Sequence, residues 1–381
     1  MTIPTSLVQQ QTQLRHDLHR HPEVAGDESW TAGRIAEFLL SHRPDRLFTG
    51  VGGHGVMALF GRRGGRTVLV RCELDALPME DNIVSDHRSE VECVGHKCGH
   101  DGHMAIVSGL APLLADDRPT DGCVALVFQP AEEVGTGAQA MLFDHSMAQI
   151  EPAACFALHN LPGWPVGQVL VRKNTFAMAS TGLAARLYGR SSHAAHPEDG
   201  NSPFEALHEI GHRLKELPGT LPDGHFALVT LVHMKLGELR YGTLPGDGEI
   251  HATIRCARDE DLEQIITAAR ELVRDIATRE GFGCDVTQCD SFASTVNDDS
   301  LVDMVVGAAT DARMSVHTCD QPFRWSDDFG QFTRQFPGAY FGLGAGEDHP
   351  QLHTSDYDFP DVLIAPGIEL LHTVARRALV E

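Results

Sequence analysis

The chain has 381 residues, 42% hydrophobic and 22% charged, enough for a sizeable core and, at this length, for two domains. Its 53 acidic against 30 basic side chains leave a net charge of -23, which repels phosphate backbones and argues against a nucleic-acid partner. No apolar run reaches the ~20 residues that span a bilayer, so no membrane association is expected. The nine cysteines include no CxxC pair, and the N-terminus lacks a basic region followed by an apolar one. These features fit reduced thiols in a cytoplasmic protein rather than a disulfide framework.

In chain order, residues 5–21 predict a helix, with Leu7, Leu14 and Leu18 at helical spacing. Residues 28–40 predict a second, with Ala32, Ile35, Ala36, Leu39 and Leu40 on one face. RTVLVRCELDAL, 66–77, reads as a buried strand running into a loop. VGHKCGHDGHMA, 94–105, packs three histidines, a cysteine and an aspartate into His96–His103, with Asp101 placed to cap a helix through MAIVSGLAPLLA. GCVALVFQPAEE, 122–133, is a second buried strand, broken at Pro130, and CFALHNLPG, 155–163, is a third. Strands alternating with helices predict an α/β fold, a mostly parallel sheet with helices on both faces.

The pattern then changes. TGLAARLYG, NSPFEALHEIGHRLKEL, HFALVTLVHMKLG, GEIHATIRCAR, DLEQIITAARELVRDIATREG and CDVTQCDSF follow in β-α-β-β-α-β order, a small ferredoxin-like α+β module. The expected organisation is 1–177 as the first part of a catalytic domain, 178–291 as an inserted domain, and 292–381 as the second part. DDSLVDMVVGAATDA and PGIELLHTVARRAL predict helices that return to the catalytic domain.

Ligands of open parallel sheets sit outside the carboxyl ends of the strands. Polar residues fall just there: ELD at 73–75, Glu132 and Glu133, His159, and the stretch holding Cys98 and His100. His353, in HPQLHTSDYDFP, is a fifth candidate. Singly, each has an ordinary reading as a solvated loop histidine, a charged turn or a buried thiol. A glutamate pair directly after an apolar strand is unusual for a surface turn, and the joint placement points to chemistry. Cysteine, histidine and carboxylate together suit zinc, with manganese or nickel as alternatives. A cysteine nucleophile with a histidine partner is the competing reading of the same residues.

These motifs resemble the dinuclear metallohydrolases that include aminoacylase, carboxypeptidase G and dipeptidases. Within them the chain is similar to the branch of bacterial N-acyl-amino-acid amidohydrolases and plant auxin-conjugate hydrolases. LRHDLHRHPE, RCELDALPMED, CGHDGHMA, FQPAEEVGTGAQAM, LHNLPGWPVG, SHAAHPEDGNSP, SDDFGQF and LHTSDYDF carry the resemblance, in that order, over nearly the whole chain. It implies Cys98, His100, Glu133, His159 and His353 as ligands of two divalent ions, zinc first and manganese, nickel or cobalt next, with Cys98 bridging. It implies Glu132 as the general base for a metal-activated water and Asp75 as a carboxylate that orients a ligand. The inserted domain would be a lid and the surface of a homodimer, with His193 and Arg255 reaching the substrate, a small N-acyl amino acid or conjugate.

The chain departs from the family pattern at several places. Gly242 stands where many members have a substrate-binding Asn, Glu73 where the branch has Asp, and SDDF replaces Ser-Glu-Asp-Phe. None touches the implied ligands or base, so the departures bear on the substrate. A dipeptidase or aminopeptidase is the nearest alternative activity, and a metal-dependent binding protein would have no need of Glu132. His96 and His103 read as supporting or solvated, and His16, His19 and His21 as structural or exposed.

Overall fold

In the computed structural model, which describes residues 2–62 and 64–380, the chain divides into two units. One is made of the chain up to Phe176, Thr295–Pro322 and the chain from Asp327 onward. The other is made of Ala177–Ser294 and Phe323–Ser326.

The first unit is built on an eight-stranded sheet in the order Arg46–Val51, Gly55–Gly61, Gly122–Gln129, Arg66–Glu73, Pro152–Pro162, Gly338–Gly346, Val169–Val171, Val316–Thr318. The strands from Gly122–Gln129 to Gly338–Gly346 run parallel, and antiparallel pairings flank them. These central strands are buried almost throughout, which is why Arg66–Glu73, Gly122–Gln129 and Pro152–Pro162 carry continuous apolar runs rather than alternating ones.

Val68, Val70 and Cys72 point into the main core, where Leu14 and Leu18 of Thr5–Arg20, Ile35 and Leu39 of Ser29–Ser41, and Ile368, Leu371 and Val374 of Ile364–Ala378 meet them. Successive side chains of a strand alternate faces, so Leu69, Arg71 and Glu73 face the other way. The fold is therefore α/β, with a mixed sheet that is parallel at its centre.

Gly338–Gly346 has no strand signature, because four of its nine residues are glycine. Packing explains them. A Cβ at Gly342 would lie 2.4 Å from Leu161 Cδ1, and one at Gly344 would lie 2.1 Å from the Pro165 carbonyl oxygen.

The helix expected to run through MAIVSGLAPLLA is interrupted at Gly109 into His100–Ser108 and Leu110–Asp116. It begins after Gly99, whose φ is +91°, and no side chain caps it. The expected cap is corrected on this point: Asp101 lies inside the first turn, and its carboxylate accepts from Arg15 and His19 instead.

The second unit carries strands and helices in β-α-β-β-α-β order. Four antiparallel strands lie in the order Ala227–Leu236, Asp247–Cys256, Ala179–Tyr188, Gly283–Phe292. Leu207, Ile210 and Leu214 of Phe204–Leu214 and Ile265, Ala269 and Val273 of Asp259–Glu280 close a separate core over Leu183, Ala185, Ile250 and Ile254. Among the described residues, no helix is long and apolar enough to cross a membrane.

Candidate metal centre

The carboxyl ends of the central strands deliver the candidate donors to one place in the first unit. Cys98 Sγ lies 3.4 Å from His159 Nε2. His100 Nε2 lies 3.8 Å from Glu132 Oε2 and 3.9 Å from Glu133 Oε1. His353 Nε2 lies 3.6 Å from Glu133 Oε2. Donor atoms of Cys98, His100 and His159 all lie within 4.8 Å of one another, and so do those of Cys98, Glu133 and His353. Cys98 belongs to both groups, so its sulfur stands between two places a cation could occupy.

Local structure aims these donors. Gly99 must be glycine, since a Cβ there would meet Asn160 Oδ1 at 2.5 Å and Tyr357 Oη at 2.8 Å. The turn it permits sends Cys98 and His100 to the same side. His100 Nδ1 donates to the Asp75 carbonyl (2.8 Å) and His159 Nδ1 to the Asn160 carbonyl (2.8 Å). Both rings therefore turn Nε2 toward the cluster, the tautomer that metal-binding histidines use. His353 is held in a left-handed conformation (φ +59°), its N–H bonded to the Lys97 carbonyl at 2.8 Å.

The electrostatics of the cluster ask for positive charge. Burial and the neighbouring Asp327 and Glu133 push the Glu132 carboxyl well above its usual range. Burial takes Glu133 up to about 7 against the pull of His100. Burial and the two glutamates raise the Cys98 thiol strongly, while burial and His103 hold His159 neutral. His100 Nε2 and Glu133 Oε1 are buried without a hydrogen-bond partner. Soft sulfur, three imidazole nitrogens and carboxylates with these orphaned atoms fit a pair of divalent cations.

Asp75 is fully buried, and its Oδ2 accepts the Glu133 N–H at 2.9 Å. It thus holds both His100, through its carbonyl, and the backbone of the glutamate pair. On the other side of that pair, Ala131 has φ +50°, costly for a non-glycine residue by roughly 1–2 kcal/mol. Its N–H is bonded to Glu28 Oε1 at 2.7 Å.

Sequence reasoning missed a buried charge network next to the donors. Arg71 bonds Glu73, Asp327 (3.1 Å), Asp328 (2.8 Å) and Gln129 (2.8 Å). Tyr340 donates to Asp327, and Ala138 N–H donates to Asp328. Glu73 bonds His103, which bonds Asn160 in turn, and Asn160 donates to Tyr357. The available signal was an arginine inside the apolar run VLVRCE. His103 is therefore a buried link rather than a solvated side chain. His96 is also buried, with neither ring nitrogen hydrogen-bonded.

His19 belongs to a second buried network, its Nδ1 at 2.8 Å from Asp101 and its Nε2 at 3.2 Å from Asp81. Burial opposes its charge, but Asp101 and the two hydrogen bonds win and push it up to about 9. A histidine raised above its unfolded value contributes stability that is complete below pH ~6.5 and disappears as pH rises through about 9. We expect stability to fall by roughly 3 kcal/mol from this group between those limits. The check is urea unfolding as a function of pH, and His19→Gln should flatten that decline.

His193 and Arg255 belong to the second unit. His193 is exposed; its Nδ1 accepts the Ala195 N–H at 3.0 Å, and it pairs with Thr243. Gly242 precedes that partner, and its carbonyl accepts the Ala194 N–H at 3.0 Å. A Cβ at Gly242 would meet nothing within 4 Å, so space does not explain the missing asparagine. Arg255 Nη1 donates to Ser326 Oγ and to the Arg324 carbonyl, both at 3.0 Å.

Fold, donor cluster and sequence converge on one class of protein. The sequence profile of peptidase family M20/M25/M40 matches residues 69–377, and the chain belongs to that family. It is a metal-dependent hydrolase of the peptidase and amidohydrolase type. Its relatives include uncharacterised hydrolases of Staphylococcus saprophyticus (29% identical over 367 residues, 93% of each chain) and Staphylococcus aureus strain USA300 (28%, 93% of this chain and 94% of that one). A dinuclear metal-binding M20-family peptidase from Bacillus subtilis has the same fold (TM-score 0.83, 23% identity, 99% of each chain). So does an aminobenzoyl-glutamate utilization protein from Klebsiella pneumoniae (TM-score 0.75, 22% identity, 97% of this chain and 96% of that one).

Proposed function

We propose that the protein is a two-metal amidohydrolase that releases a free amino acid from an N-acyl amino acid or similar conjugate. The observation that carries this reading is the pair of donor groups sharing Cys98, with Glu132 beside them. Cys98, His100 and His159 would hold one cation, and Cys98, Glu133 and His353 the other. Two bound divalent cations, zinc first and manganese, nickel or cobalt next, supply Lewis-acid polarisation of the amide carbonyl and of water.

Glu132, adjacent in sequence to the ligand Glu133 and outside both Cys98 groups, serves as the base. It takes a proton from the attacking water and returns it to the leaving amine nitrogen. Asp75 orients His100 and pins the glutamate backbone. Residues 178–291 are proposed as a lid and the surface of a homodimer, with His193 and Arg255 on the substrate, in a cytoplasmic enzyme.

A cysteine-nucleophile mechanism has one supporting observation, the Cys98–His159 contact. The strongly raised Cys98 thiol argues against it, because the thiolate is the nucleophile. The test is to strip the protein with a chelator, reload it with each cation, and screen N-acetyl amino acids alongside dipeptides. Amide hydrolysis lost on chelation and restored by metal is expected. Activity that survives chelation but not alkylation would favour the cysteine mechanism. Turnover of dipeptides alone would move the substrate assignment, and no turnover of any amide with metal bound would sink the reading.

A further inference from the structure

Glu28 is buried, yet its side chain does not do the usual task of its position. It precedes the helix Ser29–Ser41 as the N-cap residue, and its side chain makes no capping bond. Glu23 does that work, its two carboxylate oxygens accepting the N–H groups of Trp30 (3.1 Å) and Thr31 (2.8 Å). The Glu28 carboxylate meets the backbone of its own turn at Gly26 and Glu28, and its Oε1 also accepts the Ala131 N–H, about a hundred positions away, at 2.7 Å. Burying a carboxylate is costly unless it is well paired.

Ala131 is the residue just before the glutamate pair, and its left-handed φ is one that an L side chain rarely adopts. Asp75 fixes the other end of the pair through the Glu133 N–H. The turn beyond is tight as well: a Cβ at Gly137 would lie 1.5 Å from the Pro130 carbonyl oxygen. Rotating the Ala131 backbone toward an ordinary φ would redirect both side chains that follow it.

We propose that Glu28 is a positioning residue, which sets the aim of Glu132 and Glu133 by holding Ala131 in the left-handed conformation. The proposal rests on the reading of those two glutamates given above. It predicts that what matters in Glu28 is an acceptor oxygen at the right reach.

The experiment compares Glu28→Ala, Glu28→Gln, and Glu28→Ala combined with Ala131→Gly, all in the full-length chain. Two quantities are read: zinc affinity of the stripped protein by calorimetric titration, and kcat and KM on an N-acyl amino acid. Glu28→Ala should lower kcat by about 10²-fold, as a ~1 Å misplacement does, with KM nearly unchanged. It should also weaken one of the two zinc-binding steps. Glu28→Gln keeps the acceptor and should stay close to the parent in both readouts. Ala131→Gly should recover a large part of the loss, because glycine takes a positive φ without penalty.

A Glu28→Gln as impaired as Glu28→Ala, or no recovery by Ala131→Gly, would overturn the proposal. If Glu28→Ala does not fold, Glu28→Asp, one methylene too short to reach Ala131, carries the same expectation. A parent chain that hydrolyses no amide would defeat the proposed function, while the zinc titration would still decide the role of Glu28.

Discussion

Replacing Glu132 by glutamine is expected to lower kcat by roughly 10²–10⁴-fold, the usual contribution of a general base. The substitution keeps size and removes only the ability to accept a proton. Glu132 is not among the donors of the two Cys98 groups, so metal content should stay at the parental level. KM should change little, because the lost interaction belongs to the transition state. Steady-state kinetics with metal analysis on the same preparation provide the check. Parental kcat in a metal-replete Glu132→Gln protein would refute the base assignment. Loss of metal together with activity would instead make Glu132 a ligand.

Arg71→Met should destabilise the fold by roughly 3–5 kcal/mol, the range for removing one partner of a buried ionic network. Arg71 is 1% exposed and is the cation that Glu73, Asp327 and Asp328 share. Burial opposes ionisation of Glu73, yet Arg71 and His103 hold it well below its usual range. Removing the guanidinium leaves three buried carboxyls facing one another, and Asp328 already sits at about 7, where burial outweighs Arg71.

Methionine fills most of the volume, so cavity formation contributes little and charge dominates. Urea unfolding midpoints at neutral pH measure the effect. Adding Asp327→Asn should recover part of the loss, since it removes one of the stranded charges. A stability change below about 1 kcal/mol would show that solvent or relaxation satisfies these carboxyls.

The sequence carried the regular elements and the chemistry-bearing residue types, because both are written locally. Leu7, Leu14 and Leu18 mark the first helix by spacing alone, and VLV and VALVF mark buried strands by continuous apolarity. Glu132 and Glu133 after such a strand, and Cys98 with His100 before a helix, were legible as candidates because chain position alone places them near the carboxyl edge of a parallel sheet.

Other features depend on partners far away in the chain, and only the tertiary structure decided them. The Gly338–Gly346 strand is hidden by glycines whose reason is the close approach of Leu161 and Pro165. Asp101 resembles a helix cap until Arg15 and His19 are seen to claim its carboxylate. The tautomers of His100 and His159 come from carbonyls that no residue spacing reveals. The Glu28–Ala131 bond and the Arg71–Asp328 pair join residues 103 and 257 positions apart. Periodicity reports what each segment buries, but a hydrogen bond in the core is chosen by whichever donor and acceptor the fold brings within 3 Å.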